Sequence, residues 1–230
     1  LENGIEPVMQ ISCRDRNKIA LQSDILGANA LGIKNILCIT GDSVKAGDQQ
    51  SAKAVHEFES VKLLKQIQSF NNGIDPTYEL LSDHKTEIFA GAAADPSYKN
   101  LKIVKMRTEQ KKEAGARFIQ TQMIMDKKYL IDFCDEISKP LNLPVLAGVF
   151  LLKSYKNALF INKFVPGANI PDQILNRLKE SNNPGEEGIN IAAEQVKEFI
   201  AISQGVHIMA VKSEHLIPEI LKRAEINLEY

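Results

Sequence analysis

The chain contains no tryptophan, and only 6% of its residues are aromatic. So few rings argue against the stacking platforms on which proteins bind single-stranded nucleic acid. The formal net charge is −1, so no overall field attracts nucleic acid or an anionic membrane. No apolar run approaches the roughly 20 residues that span a bilayer, and the polar amino end predicts no signal peptide. These absences favour partners other than nucleic acids and membranes.

Cysteine is scarce as well, with Cys13, Cys38 and Cys134 far apart in the chain. An odd number without paired spacing is not a disulfide framework, and no CxxC pair indicates a zinc site. The pattern therefore predicts a reducing, cytoplasmic location and no metal centre. Cys13 and Cys38 end apolar segments, where cysteine usually serves as a small core residue.

What the chain does have is a repeated strand pattern. The apolar run at 35–39 leads into Thr40, Gly41 and Asp42. A buried parallel strand has this appearance when it delivers polar groups to the rim of an α/β sheet. The same pattern recurs at 7–12, 87–91 and 117–122. We therefore predict a site assembled from several strand ends, with Asp42 as one member.

Strand-like and helix-like segments alternate along the whole chain. We predict strands at 7–12, 35–39, 87–91, 117–121, 144–149 and 206–211. We predict helices at 18–31, 58–70, 101–114, 127–139, 153–163, 171–181, 186–204 and around 218–221. Two long loops, at 43–56 and 74–86, separate these elements, and long loops in compact domains tend to be functional.

This alternation predicts one α/β domain over residues 1–230, with a parallel sheet and right-handed crossovers. Two architectures fit: an open doubly wound sheet and a (β/α)8 barrel. The sequence has neither a GxGxxG fingerprint nor a P-loop, which removes the best support for a dinucleotide-binding sheet. Polar residues after nearly every strand favour the barrel, although six predicted strands leave it two strands short.

Several motifs, read in order, are familiar as a set. They include Cys-Arg-Asp-Arg-Asn at 13–17, Thr-Gly-Asp at 40–42 and the segments 31–37, 113–122, 144–149, 166–171 and 205–209. Their order and spacing resemble the methylenetetrahydrofolate reductase family over essentially the whole chain. The resemblance is strongest to the bacterial forms of acetogens, in which the reductase works beside a partner subunit.

The resemblance implies a TIM-type (β/α)8 flavoprotein of one-carbon metabolism. Such an enzyme reduces 5,10-methylenetetrahydrofolate to 5-methyltetrahydrofolate by hydride transfer from reduced flavin. The expected cofactor is FAD, with FMN as the alternative, and the expected reductant is NAD(P)H or another electron donor. The expected assembly is a homo-oligomer, or a hetero-oligomer with a reductase partner subunit.

By the same resemblance the segment 7–12 is the third barrel strand, so strands three to eight lie in this chain. The first two strands would precede Leu1, and the family's general-acid glutamate would lie on the first of them. Glu2 and Glu6 do not match that residue.

The resemblance assigns catalytic roles to Asp42 and Gln122. The matching aspartate lies near flavin N1, where a fixed carboxylate opposes negative charge on the reduced ring. The matching glutamine bonds the pterin and the nicotinamide amide in turn, as an amide with donors and an acceptor can. Tyr155 matches an aromatic residue that stacks on substrate. The plainer alternatives are a turn aspartate for Asp42, a solvated strand end for Gln122 and a loop anchor for Tyr155.

The other residues that the resemblance assigns to cofactor binding surround these positions: Gln10, Thr40, Gly41, His56, Gly91, Ala92, Asp95 and Lys111. Lys111 matches a flavin-phosphate contact, against the alternative of a solvated helix lysine. Gly91 and Ala92 are small enough for a planar ring to approach the backbone, while Asp95 also fits a simple turn.

The sequence departs from the family at two of these positions. Gln10 stands where many relatives have histidine, and His56 where they have tyrosine, which leaves the flavin type and the electron donor open. One alternative function is a truncated, catalytically inactive flavin-binding or structural subunit of a larger one-carbon assembly. An unrelated barrel that uses another pterin or a sugar phosphate is the other alternative.

Overall fold

A computed structural model describes residues 4–75, 85–165 and 167–226. The strands are β1 (Val8–Ser12), β2 (Asn35–Ile39), β3 (Phe89–Ala94), β4 (Phe118–Met123), β5 (Val145–Phe150) and β6 (Gly205–Met209). The helices are α1 (Lys18–Ala30), α2 (Ser60–Asn71), α3 (Leu101–Glu113), α4 (Lys127–Phe133), α5 (Lys139–Leu141), α6 (Tyr155–Phe164), α7 (Asp172–Glu180), α8 (Pro184–Ile200) and α9 (Ile217–Arg223). These bounds confirm the predicted alternation to within a few residues.

Strand order in the sheet follows the chain, β1-β2-β3-β4-β5-β6. The strand pairs β1–β2, β2–β3 and β5–β6 are parallel, with Gln10 opposite Leu37, Leu37 opposite Gly91, and Gly148 opposite His207. A parallel α/β fold is therefore confirmed. The place of these strands as the third to eighth of a closed barrel stays a prediction.

Helix starts are fixed by side chains that accept the first backbone N–H groups. Asn17 accepts from Ala20 at 2.9 Å, Asp126 from Lys128 at 2.9 Å, and Ser154 from Asn157 at 3.1 Å. Each of these residue types is a preferred N-cap, because its short side chain reaches back to the helix. Local sequence thus explains where α1, α4 and α6 begin.

The predicted end of the helix at 127–139 was too early. A π-helical segment, Cys134–Ser138, follows α4, and α5 continues the helix to Leu141. In the π turn the Lys139 N–H donates to the Cys134 carbonyl. Pro140, which has no N–H to donate, therefore lies inside the final turn rather than beyond it.

The chain divides into two compact units, which are described separately. The first comprises Leu1–Ala93 and Met106–Ile119, and the second Ala94–Lys105 and Gln120–Tyr230. The single domain over 1–230 stays a prediction. The predicted loop at 43–56 contains one short 3-10 turn, Val44–Ala46. The predicted loop at 74–86 falls largely on residues 76–84, outside the described residues.

In the first unit, α2 packs on β2 and α1 packs on α2. The apolar side chains of these elements are almost fully buried: Leu21, Ile25, Ile36, Leu37, Leu63, Leu64, Ile67 and Phe70. Asn71 at the end of α2 accepts from Ile88 N and donates to the Ile88 carbonyl, both at 2.9 Å. This amide ties the helix end to the start of β3.

In the second unit, α8 packs against β5, β6, α4, α7 and α9. Arg177 on α7 pairs with Glu187 at 2.7 Å and with Glu194 at 2.6 Å, both on α8. Arg223 on α9 pairs with Glu186 and Glu219. Arg177 thus links α7 to α8, and Arg223 links α9 to α8 through Glu186. The contact between Arg177 and Glu194 is forked, the geometry in which ion pairs contribute most. No helix in the described part of the chain combines the length and apolar character that crossing a membrane requires.

Two helical glycines allow a matched stability test. A Cβ at Gly188 in α8 would collide with the carbonyl group of Leu152, whereas a Cβ at Gly27 in α1 would have no neighbour within 4 Å among the described residues. We expect Gly188→Ala to destabilise the protein by about 1–3 kcal/mol through overpacking. We expect Gly27→Ala to stabilise it by about 0.5–1 kcal/mol, because alanine loses less backbone entropy in a helix. Urea unfolding checks both, and stabilisation by Gly188→Ala would contradict the close packing at Gly188.

Candidate functional site

The end of β2 is the centre of the candidate site in the first unit. Gly41 has a φ of +93°, and a Cβ there would overlap Ser12 Oγ and lie 2.7 Å from Arg14 Cβ. Only glycine combines that dihedral with so close an approach to the end of β1. The chain then turns, and Asp42 is exposed beyond it.

Arg14 places positive charge beside this turn. Its guanidinium forms a forked pair with Asp15, with Nε to Oδ1 at 2.6 Å and Nη2 to Oδ2 at 2.9 Å. The hydrogen bonds that Arg14 donates to Asp15 are the main reason that the pKa of Arg14 is raised, and the charges of Asp42 and Asp48 add to it. Asp42 therefore interacts electrostatically with Arg14, a cation that also interacts with Asp15 and Asp48.

The loop after Asp42 returns to the same place. Val55 N donates to the Arg14 carbonyl at 2.7 Å, and Lys18 N donates to Glu57 Oε2 at 3.0 Å. Between them, His56 is exposed and has a φ of +45°. The pKa of Asp15 is lowered, chiefly by its hydrogen bond with Arg14 and also by charges that include His56. The structure thus brings His56 to the same charged corner as Arg14 and Asp15.

Thr40, just before Gly41, binds the start of α2. Its Oγ1 accepts a hydrogen bond from Ser60 N at 3.1 Å and donates to Ser60 Oγ at 3.3 Å. The residue before the helix, Glu59, makes no side-chain cap bond. The Thr40 hydroxyl therefore takes the place of the missing local cap.

A cleft of about 640 Å³ opens beside this contact, within the first unit. Its lining is rich in charged and polar side chains: Thr40, Glu59, Ser60, Val61, Lys65, Arg107, Gln110, Lys111 and Glu113. Three cations and two carboxylates leave the lining with an excess of positive charge. Two residues that the sequence assigned to cofactor binding, Thr40 and Lys111, thus lie in one cleft.

Lys111 is a cation of this cleft that a backbone contact holds in place. It is half-buried, and its Nζ donates to the Ala93 carbonyl at 2.7 Å. Burial is the main cause that lowers the pKa of Lys111, Arg107 lowers it further, and Glu59 opposes them. Desolvation strengthens the interaction of such an ammonium with any anion that enters.

Gly91 and Ala92, the predicted place for a planar ring, are buried within β3. A Cβ at Gly91 would overlap the ring of Phe118, which also stacks on Phe89 with centroids 5.6 Å apart. The need for glycine at 91 is therefore explained by packing against a protein side chain, and a cofactor contact there stays a prediction. Gln10 is exposed in the middle of β1.

The other predicted residues lie in the second unit. Asp95 Oδ1 accepts from Ser97 N at 3.0 Å and from Ser97 Oγ at 2.6 Å, the pattern of an Asx turn. The Asp95 carboxylate also faces Gly167, whose φ is +80°. Asp95 therefore has a structural role in its turn, whatever else it binds.

Gln122 is exposed near the end of β4. The backbone carbonyl of Gln122 accepts from Thr121 Oγ1 at 2.7 Å, and the same Thr121 hydroxyl accepts from Gly148 N at 2.8 Å. The backbone at Gln122 is thus fixed against β5, so the side chain that carries the amide extends from a rigid backbone. On the same strand, the Gln120 amide nitrogen lies 3.2 Å from His207 Nε2.

Tyr155 begins α6 and packs against a buried cluster that includes Met125, Leu152 and Ala158. Lys179 Nζ lies 5.9 Å from the centre of its ring. The packing agrees with the plainer interpretation of Tyr155 as an anchor, and its role in binding substrate stays a prediction. Among the described residues no group of three or more His, Cys, Asp or Glu side chains could hold a metal ion.

Sequence reasoning did not identify Arg14, Ser60 or Arg107 as neighbours of the candidate residues. Arg107 lies four residues before Lys111 on α3, so helical spacing places both on one face and could have found it. The contacts of Arg14 and Ser60 depend on how strands and helices pack, which no local pattern shows.

Comparisons with known proteins agree with the sequence motifs. The methylenetetrahydrofolate reductase family model matches residues 1–225. Methylenetetrahydrofolate reductase 1 of Schizosaccharomyces pombe is 22% identical over 225 residues, covering 95% of this chain and 36% of that protein. A probable methylenetetrahydrofolate reductase (NADPH) of Caenorhabditis elegans is 24% identical over 234 residues, covering 95% of this chain and 32% of that protein. The chain spans about a third of the length of these curated relatives.

Among solved structures, an uncharacterized Clostridium thermocellum protein that binds two copies of 5-methyl-5,6,7,8-tetrahydrofolic acid aligns with a TM-score of 0.48. It is 16% identical, and the alignment covers 95% of this chain and 93% of that chain.

The Thr40 cap predicts a stability effect. We expect Thr40→Val to lower the free energy of unfolding by about 1 kcal/mol, because the Ser60 N–H loses its acceptor. Thr40→Ser keeps the hydroxyl and is the matched control. Urea unfolding measures both, and an unchanged free energy of unfolding in Thr40→Val would contradict the capping role of the hydroxyl.

The lowered pKa of Lys111 predicts a pH dependence. The folded state binds this proton less tightly than the unfolded state, so Lys111 costs stability while it is charged. This cost disappears as the pH rises through the folded pKa towards 10.5. We therefore expect the stability of wild type relative to Lys111→Met to rise between pH 7 and pH 10. Lys112→Met, measured alongside, shows how much of the change follows from the loss of one positive charge.

Proposed function

The chain belongs to the methylenetetrahydrofolate reductase family, and on this premise we propose that it acts in the reduction of 5,10-methylenetetrahydrofolate to 5-methyltetrahydrofolate. A flavin bound by the chain, FAD in this proposal, supplies the hydride. NAD(P)H or another electron donor supplies the reducing equivalents.

The observation that carries the proposal is the cationic cleft of the first unit. A flavin nucleotide brings phosphate groups, which need fixed cations and hydrogen-bond donors. Lys111, Arg107 and Lys65 supply the charge along one lining. Ser60 supplies a hydroxyl donor, because its oxygen accepts from Thr40 and keeps its own proton. Because Ala93 accepts one N–H of the Lys111 ammonium, that charge keeps a fixed position. An ammonium has three N–H donors, so it can also donate to a ligand. The residues present therefore fit a nucleotide phosphate.

Asp42 supports the second part of the proposal. Gly41 and Arg14 fix the backbone from which Asp42 projects, and its carboxylate is exposed. A carboxylate beside the N1 edge of a flavin disfavours negative charge on the reduced ring and so favours release of hydride. In this proposal Asp42 tunes the cofactor, and Arg14 moderates how strongly it does so.

In the second unit we assign substrate binding to Gln122 and Tyr155. The exposed Gln122 amide offers two donors and an acceptor, which match the mixed hydrogen-bonding edge of a pterin. Its backbone is held by Thr121 and Gly148, so orienting the amide costs less entropy on binding. We further propose that the six strands are the third to eighth of the family's barrel and that the protein is cytoplasmic.

Flavin loading followed by potentiometry tests the proposal. We expect the purified chain to bind FAD with the absorbance of a bound flavin. We expect Asp42→Asn to raise the two-electron midpoint potential by roughly 20–40 mV, because it removes a negative charge near the ring. Asp48→Asn is the matched control, since both carboxylates act on Arg14.

Three results bear on the interpretation. Equal shifts in both variants would show that Asp42 has no special place near the ring. Flavin binding without folate reduction would favour the alternative of a flavin-binding subunit. Absence of flavin binding by the chain, with and without folate present, would overturn the proposal.

A further inference from the structure

The helix α6 exposes an unusual face in the second unit. Side chains at successive helical turns point outward: Lys156, Leu159, Phe160, Lys163 and Phe164. Phe160 and Phe164 are 57% and 58% exposed, and Leu159 is 42% exposed. Their spacing of three and four residues puts them on one stripe. The helix thus turns its largest apolar side chains towards the outside.

The opposite face of α6 shows that this orientation is fixed. Ala158 and Ile161 are buried in the cluster with Leu152 and Ile170. Asn162 donates to the Ile170 carbonyl at 3.2 Å and accepts from Ile170 N at 2.7 Å. The helix cannot rotate to bury its phenylalanines without breaking these contacts, so the outer stripe is a preformed surface.

The two phenylalanines also form a single platform. Their ring centroids lie 4.7 Å apart with an interplanar angle of 40°, and Lys163 Nζ lies 5.1 Å from the Phe164 ring centre. Aromatic side chains of this kind, rigid and exposed together, are typical of the anchors at the centre of protein interfaces.

Charge selects the kind of partner. The stripe carries two lysines, and α6 contains no Asp or Glu. A second copy meeting this stripe by two-fold symmetry would set lysine against lysine with no carboxylate on the helix to pair them. Two lysines are also fewer than the clusters of about four to eight that mark lipid-binding segments.

We infer that the outer face of α6 docks a different protein, through an apolar surface that is bordered by carboxylates. The phenylalanine platform and Leu159 fill the centre, and Lys156 and Lys163 pair at the rim. This inference does not depend on the proposed function, because no residue of the stripe belongs to the candidate site.

Site-specific photo-crosslinking in the native cell identifies the partner. A photoreactive phenylalanine analogue replaces Phe160 in the tagged chain, and mass spectrometry maps the crosslinked peptide. The same analogue at Ile19, an exposed apolar position on α1, is the matched control. We expect a peptide with apolar and acidic residues, captured from position 160 and not from position 19.

Binding measurements with the purified partner then decide the inference. We expect Phe160→Ala/Phe164→Ala to weaken binding at least tenfold. We expect Lys156→Glu/Lys163→Glu to weaken it and to remove most of its salt dependence. Circular dichroism of both variants checks that they remain folded.

Four outcomes would overturn the inference: a crosslink to a second copy of the chain, unchanged affinity in both folded variants, no crosslink specific to position 160, or sedimentation with vesicles of 30% phosphatidylserine that depends on the stripe.

Discussion

The close approach between the ends of β1 and β2 is the constraint on which the candidate site in the first unit depends. Gly41 leaves no room for a side chain between Ser12 and Arg14, and its positive φ turns the chain at that point. Thr40, one residue earlier, then reaches the start of α2, and Asp42, one residue later, is exposed. A larger residue at 41 would move all three neighbours together, so this glycine fixes the geometry of the whole corner.

The cleft beside that corner shows a balance between stability and binding. Burying the Lys111 ammonium carries a desolvation cost that its bond to Ala93 offsets only in part, which is why the pKa of Lys111 is lowered. A protein selected for stability alone would gain by replacing it with an apolar residue. A half-buried cation beside Thr40 and Ser60 is therefore better understood as a group held ready for an anion.

Much of the fold was predictable because local signals agree with one another. Strand β2 was predicted with its observed bounds, since an apolar run ends at residues that favour a turn. The π turn before Pro140 was not predicted, because the sequence shows a proline but not how the preceding turn widens to admit it. Gly91 was assigned to a cofactor from the family resemblance and its small size, whereas the ring that fills its space, Phe118, comes from another strand. Family motifs located Thr40 and Lys111, but only packing shows that they share a cleft.

The π turn at Cys134–Ser138 has a consequence for how this helix tolerates changes in length. A π turn contains one residue more than the α-helical turn that it replaces. Deleting one residue from this segment would restore a regular α-helix and leave the helix that precedes it in register. It would also place the Pro140 ring against a carbonyl in the preceding turn, which α-helical spacing does not accommodate. The extra residue of the π turn and Pro140 therefore depend on each other. A related sequence that lacks the extra residue is expected to have another residue in place of the proline.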